Sequence, residues 1–407
     1  MTPITFRDLD AFVQQTDQLG GPGSAACDAY WGTITYEVGV AVDETLDPFS
    51  DAYVDQQLAV YAELSGRAFD QVANEHSDID VSTHIVAVNP YNHPSPGGLA
   101  VHLQRLSQAL QRASPALGSK MLDMGCGWGL SSEIAAYCGL NVTAVDINPD
   151  FVRLVETRAR RLNLRISAQQ GTFDGFSSPD KFDTVLFYEC LHHALRPWTV
   201  LSRMAQMLSF DGRVVLAGEP INSIWWKHWG LRLDPLSIYC IRKFGWFESG
   251  WSADFLKAAI EHAGLSCSLW EAPDTGYTVI GNFASQKTLP AVEIARMATM
   301  TGWMNDVDYL TSTGVSTLAL ELPEDARKVR LDLTVFRPAP LRTVVTANSL
   351  EVFNGELSPG QTVLNVDTNG AASLTLEITT DTWCPNTEIG NDDNRKIGIH
   401  LRAIGII

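Results

Sequence analysis

Residues 120–150, KMLDMGCGWGLSSEIAAYCGLNVTAVDINPD, constrain this chain more than any other stretch, because they read as strand, glycine-rich turn, helix, strand and acidic residue without interruption. The first strand, residues 121–124, runs straight into Gly125, Cys126, Gly127, Trp128 and Gly129. A turn poor in side chains lets the backbone approach a ligand closely. Leu130, Ile134 and Cys138 then recur every four residues, the spacing of a helix packed on a sheet, and a second strand over 142–147 carries Asp146 near its end. A carboxylate about 20 residues beyond such a turn can accept hydrogen bonds from the two vicinal hydroxyls of a ribose. The unit is that of a nucleoside-binding half-sheet.

The glycine spacing separates two kinds of nucleoside fold. The dinucleotide fingerprint needs G-x-G-x-x-G with a helix N-terminus aimed at a pyrophosphate. Here the spacing is G-x-G-x-G and an acid, Asp123, precedes it. An acid there repels phosphate and suits a ligand with a cationic amino group. The segment Leu122-Asp123-Met124-Gly125-Cys126-Gly127-Trp128-Gly129 resembles the class I methyltransferases that use S-adenosylmethionine (SAM), whose pattern is hydrophobic-Asp/Glu-x-G-x-G-x-G. The resemblance extends over roughly residues 100–285, with further strands at 165–171, 182–189, 212–220, 266–271 and 277–283 and a helix at 253–263. It implies an α/β fold with a Rossmann-like seven-stranded core. It also implies SAM as cofactor, held by Asp123, Gly125, Cys126, Gly127, Asp146, Ile147, Thr172, Phe173, Tyr188 and Glu189.

At 407 residues the chain is too long for one ordinary domain. We expect an N-terminal auxiliary, partly helical region over 1–98, the core over 99–286 with a cap insertion at 221–251, and a helical linker with an all-β sandwich over 287–407. In the first region, 50–67 reads as a helix capped by Ser50 or Asp51 and ended by Gly66. Residues 89–98, with three prolines, read as an ordered loop or a linker; the resemblance implies that this segment folds over the cofactor and brings Tyr91 and His93 to the pocket, with a plain connector as the alternative. In the last, 291–304 reads as helical. From Val315 on, short alternating segments separated by Pro, Gly, Asn and Asp read as strands of a sandwich. The closing stretch 381–398 resembles the end of β-sandwich modules appended to bacterial enzymes of surface-glycan assembly. Asp392 and Asp393 there read as a solvated turn in preference to a calcium site.

The net charge of −18, with no basic stripe, disfavours a nucleic-acid partner. Seven scattered cysteines without a C-x-x-C pair point to reduced thiols and no zinc site, and no metal is expected. No run of about 18 apolar residues is present, nor a basic segment followed by an apolar core at the N-terminus, so a cytoplasmic protein is expected. The partners implied are a small-molecule or glycan acceptor and, for a homodimer, a second copy of the chain.

Chemistry belongs at the carboxyl ends of the core strands. There the sequence offers His192 and His193 as base candidates, since imidazole titrates near neutral pH, with Glu219 as a second carboxylate at the same mouth. The insertion after Pro220 holds five of the eleven tryptophans, Trp225, Trp226, Trp229, Trp246 and Trp251, beside His228, Arg232, Asp234, Tyr239, Arg242, Lys243 and Glu248. Flat rings beside hydrogen-bonding charges suit a sugar, with Trp225, Trp229, Trp246, Glu248 and Trp251 as acceptor contacts. A subdomain core or dimer contact would use the same residues. The reading is O-methylation of a sugar, glycan precursor or related small molecule. N- or C-methylation of another small molecule, a catalytically silent scaffold and aminopropyl transfer are the alternatives.

Overall fold

The computed structural model describes residues 2–76, 79–92, 95–283, 287–306, 308–323 and 326–407. The chain divides into two compact units, Met1–Leu208 with Gly212–Asn282, and Ser209–Asp211 with Phe283–Ile407.

The first unit is built on a seven-stranded sheet. In chain order its strands are β1 (Lys120–Met124), β2 (Asn141–Asp146), β3 (Ile166–Gln170), β4 (Phe182–Tyr188), β5 (Leu208–Ala217), β6 (Ser266–Ala272) and β7 (Gly276–Asn282). They lie in the order β6-β7-β5-β4-β1-β2-β3. The five strands from β1 to β5 are mutually parallel, β7 runs antiparallel to β5, and β6 runs antiparallel to β7. The sheet order reverses at β1: β2 lies on one side and β4 on the other, so their carboxyl ends open a crevice above β1. Near-continuous apolar runs make this possible, because parallel strands are covered on both faces. β4 is buried at six of seven positions.

The segments before the core pack in the same unit. Asp51–Ser65 is a helix whose Ser50 N-cap accepts from the Tyr53 amide and whose C-cap, Gly66, is left-handed at φ 72°. The 89–98 segment departs from the expected loop. Pro96, Gly97 and Gly98 form the first turn of the helix Pro96–Ala113, with Ser95 accepting from the Gly98 amide. Proline is tolerated there because the first helical N–H has no intrahelical acceptor to lose.

The second unit holds a nine-stranded, antiparallel sheet. Two separate sheets were expected of a sandwich. Instead the long strand Leu310–Glu321 pairs with Ser373–Thr380 over 315–321 and with His400–Ile406 at Leu310 and Thr311, joining the strands into one hydrogen-bonded network. Such partner switching is how a strand turns a corner between layers. Ser373–Thr380 alternates strictly between exposed and buried, and its Leu374, Leu376 and Ile378 enter an aliphatic core with Leu318, Leu331 and Leu401. The expected helix over 291–304 ends at Met297; Thr299–Asn305 is a strand along Leu310–Glu321.

Candidate cofactor and active site

A cavity of about 360 Å³ opens at the carboxyl ends of β1, β2, β3 and β4. Its floor is the glycine turn. The Gly125 and Cys126 amides donate to the Val145 carbonyl at 2.8 and 3.0 Å, folding the turn back on β2. Gly125 has φ 67°, and a Cβ there would stand 2.9 Å from Cys190. At Gly129, φ 85°, a Cβ would stand 2.6 Å from Val155. Gly127, φ 48°, differs: a Cβ would meet nothing within 4 Å, and the residue lines the cavity. The outer glycines are fixed by packing, and the middle one keeps the floor clear for a ligand.

Asp146 ends β2 on the cavity wall. Its carboxylate accepts from the Gly127 amide at 2.8 Å and the Asn148 amide at 2.9 Å. Burial pushes its pKa up to about 6 against those two amides. Asp123 is placed differently from expectation. It is wholly buried behind the wall, and one carboxylate oxygen accepts from Ser131 and Ser132 on the helix Leu130–Tyr137 at 2.7 and 2.5 Å. Its other oxygen has no hydrogen-bond partner among the described residues, and burial pushes its pKa up to about 6. Its direct role is to tie strand to helix beneath the turn.

Ile147, Thr172 and Phe173 line the cavity as the sequence placed them, and so do Cys126, Tyr188 and Glu189. Glu189 takes a left-handed φ of 52°, a conformation that costs of order 1–3 kcal/mol in a residue with a Cβ. Arg105 holds its carboxylate, and the His102 Nδ1 lies 3.5 Å from it and 2.7 Å from the Tyr188 hydroxyl. His102 and Arg105 belong to the helix Pro96–Ala113 and gave no sequence signal, since an amphipathic helix carries such residues anyway.

The paired histidines separate into two roles. His192 is buried, its Nδ1 2.9 Å from Glu219 and its Nε2 3.4 Å from Glu248. Burial opposes its charge, yet the two carboxylates push its pKa up to about 10. Its two carboxylate partners favour the protonated ring, and it does not line the cavity. Glu219 is no freer. It accepts from the backbone amides of Cys190, Leu191 and His192 at 3.0, 2.9 and 3.2 Å as well as from His192, so it organises the loop after β4. His193 does line the cavity, 3.3 Å from Glu75 at ion-pair distance. Burial lowers its pKa, but Glu75 foremost outweighs that and leaves it raised. Glu75 also accepts from the Phe247 amide at 2.9 Å, and Gln71 donates to the His193 carbonyl at 3.0 Å. Both belong to the short helix Gln71–Glu75, too short to show a period in sequence.

His192, His193 and Glu248 also bring three ligand-type atoms within 4.8 Å of one another. Glu219 on the Nδ1 of His192 is the kind of support that orients an imidazole toward a divalent cation. Two of these residues are adjacent and the third lies far along the chain, so no ligand spacing showed in the sequence.

The aromatic cap is mostly core. Trp229 and Trp251 are fully buried and face each other across a two-stranded ribbon, with Trp229 donating to the Pro48 carbonyl at 2.8 Å. Trp226 donates to the Leu231 carbonyl at 2.7 Å, and Trp225 is partly exposed away from the cavity wall. Trp246 alone of the five lines the cavity, stacked on Phe244 at 4.9 Å. The charged cap residues mostly serve as ties: Tyr239 and Lys243 bond Asp17, Arg242 bonds Asp10, and Arg232 pairs with Asp234. Glu248 sits behind the wall on His192, pushed down to about 2, burial being outweighed by both histidines and Arg232. Tyr91 lines the cavity; His93 lies outside the described residues. Trp128, stacked on His84 at 4.1 Å, and Phe151 complete an aromatic wall that the sequence did not single out.

An acid-tipped second strand, a glycine floor left open at Gly127 and a buried carboxylate beneath it form a site that fits SAM. Residues 122–216 match the family model described as "Methyltransferase domain". The mitochondrial ubiquinone biosynthesis O-methyltransferase of Schizosaccharomyces pombe is 29% identical over 154 residues, covering 36% of this chain and 56% of that protein. The ubiquinone biosynthesis O-methyltransferase of Actinobacillus pleuropneumoniae serotype 7 is 32% identical over 124 residues, 29% of this chain and 52% of that protein. The chain thus spans about half the length of these relatives. Among solved structures, 1,6-didemethyltoxoflavin-N1-methyltransferase from Burkholderia thailandensis is similar at 19% identity and a TM-score of 0.36, over 45% of this chain and 78% of that one.

Proposed function

We propose that the chain is a SAM-dependent O-methyltransferase acting on a hydroxyl of a small molecule, with His193 as the base and Glu75 as the group that positions it. The observation that carries this is His193 on the cavity wall with a carboxylate at 3.3 Å, beside a neighbour histidine that carboxylates keep charged. When bound, SAM supplies a methyl group on a sulfonium whose leaving group is neutral, so the protein's work is alignment, exclusion of water and removal of one proton.

The residues divide that work. Asp146 and the open floor at Gly127 would hold the ribose, and Thr172 and Phe173 the adenine. His193 would take the proton of the acceptor hydroxyl, while the bound cofactor would supply the methyl group and leave as the neutral thioether when its sulfur–methyl bond breaks. Glu75 then stabilises the imidazolium. The cationic His192, clamped between Glu219 and Glu248, fixes the loop that presents His193. The word O-methyltransferase in the relatives' names supports an oxygen acceptor. Within that class we favour a sugar or glycan precursor, supported by Trp246 and Tyr91 on the cavity wall, whose rings suit a C–H face.

The test is release of S-adenosylhomocysteine (SAH) from SAM in the presence of hydroxylated acceptors, sugars and nucleotide-sugars included. His193→Ala should lower kcat at least 100-fold while changing SAH affinity less than about threefold, in line with loss of a general base. Undiminished turnover in that variant would remove His193 from the mechanism, and turnover of amines alone would move the reading to N-methylation.

A further inference from the structure

Arg158 is wholly buried, on the face of the helix Pro149–Leu162 that also carries Leu154, Val155 and Ala159. A charged side chain is almost never buried so completely unless it is paired. Nε and Nη2 donate to the two carboxylate oxygens of Glu133 at 2.5 and 3.0 Å. Nη1 donates to the carbonyls of His84 and Ala87 at 2.7 and 2.9 Å. Nearly the whole donor fork of the guanidinium is thereby used. Glu133 lies in the first turn of the helix Leu130–Tyr137, directly after the glycine turn. The two carbonyls belong to the auxiliary segment, 74 and 71 residues earlier in the chain.

What the fork holds is a strap beside the core cavity. Residues 79–92 supply Ile79 and Tyr91 to the wall, whereas neither Arg158 nor Glu133 lines it. His84 carries the tie onward. Its Nδ1 lies 2.7 Å from the Pro90 carbonyl, which only accepts, so the ring nitrogen donates. Pro90 directly precedes Tyr91. The same ring stacks on Trp128 at 4.1 Å, and Trp128 meets Phe151 edge-on at 4.9 Å, both of them cavity residues. The Ile79 amide donates to Asp150 at 3.3 Å, and Arg161 adds a bond to the Ala87 carbonyl at 3.0 Å. Val86 and Val88 are 71% and 98% exposed, so the valines at the centre of the strap do not anchor it.

We propose that Arg158 is a positioning residue for the cofactor. Locked by Glu133, it docks residues 79–92 on the core and so holds Ile79, Tyr91 and, through His84, Trp128 in place before SAM enters. A wall already in place needs no ordering when its ligand binds, so Arg158 raises cofactor affinity without touching the cofactor. Lysine cannot replace it, because one ammonium lacks the planar fork that reaches two carboxylate oxygens and two carbonyls together. The inference rests on SAM in the core cavity and is independent of His193 and of the acceptor.

Calorimetry with SAH and hydrogen exchange over residues 79–92, both on the full chain, test it. In the unaltered chain SAH should slow exchange there. Arg158→Lys should weaken SAH at least tenfold and speed exchange over 79–92 even with SAH present. His84→Ala leaves the Arg158–Glu133 pair intact and should weaken SAH at least threefold. A merely structural arginine would lower the melting temperature of Arg158→Lys and leave the SAH affinity of the folded protein as it was. A smaller loss of affinity in folded Arg158→Lys, or in His84→Ala where Arg158→Lys does not fold, overturns the inference. So does weakened SAH binding with exchange over 79–92 unchanged, which would put the arginine's effect elsewhere. Absence of SAH binding by the unaltered chain would overturn the cofactor placement and this inference with it.

Discussion

Glu75 and His193 couple the site to pH. A base must be unprotonated to act, and the Glu75 carboxylate foremost holds the His193 pKa above its ordinary 6.5 in spite of burial. The rate of methyl transfer should therefore rise with pH along a limb whose midpoint lies above 6.5. Glu75→Gln should move that limb to lower pH, because the raising charge is gone and burial remains; a midpoint that stays put would break the pairing. Asp146 adds a second dependence. With its carboxyl pushed up to about 6, SAH affinity should weaken as pH falls from 7 to 5, which calorimetry at the two pH values measures. The sequence displayed both histidines but not their difference. That difference comes from Glu75 and Glu248, which reach the pair from distant segments.

Among elements, the glycine turn is the most exacting. Gly129→Ala would put a Cβ 2.6 Å from Val155 in a left-handed conformation, a combined strain of order 1–3 kcal/mol or more. Denaturant unfolding should show a midpoint lowered accordingly, and an unchanged midpoint would mean the turn is looser than described. All seven core strands were legible within a few residues, β4 from its apolar run and β3, β6 and β7, whose patterns are mixed, from the resemblance of the whole unit. The start of the helix Pro96–Ala113 was not, because Pro96 and two glycines in its first turn mimic a loop until the Ser95 cap is seen. The tryptophans of the cap misled for a related reason. Composition shows that an insertion is aromatic, but whether a ring faces a ligand or a core is decided by the ribbon that pairs Trp229 with Trp251.

For the whole molecule, buried charge sets the stability profile. His192 has a folded pKa near 10 against about 6.5 unfolded, so its contribution is fully present below 6.5 and is lost as pH rises through 10. The melting temperature should fall between pH 7 and 10, and less steeply in His192→Gln; identical slopes would show that the cluster does not govern the alkaline limb. The second unit's strands were legible from their alternation, yet the single sheet was not, because Leu310–Glu321 gives no sequence sign that it changes partner midway. The central claim is that the core cavity is a SAM site organised by Asp146. Calorimetric titration of the full chain with SAH tests it most directly. Micromolar binding is expected, weakened at least tenfold in Asp146→Ala, as for the loss of hydrogen bonds to a charged group. Absence of binding, or equal affinity in the variant, would contradict it.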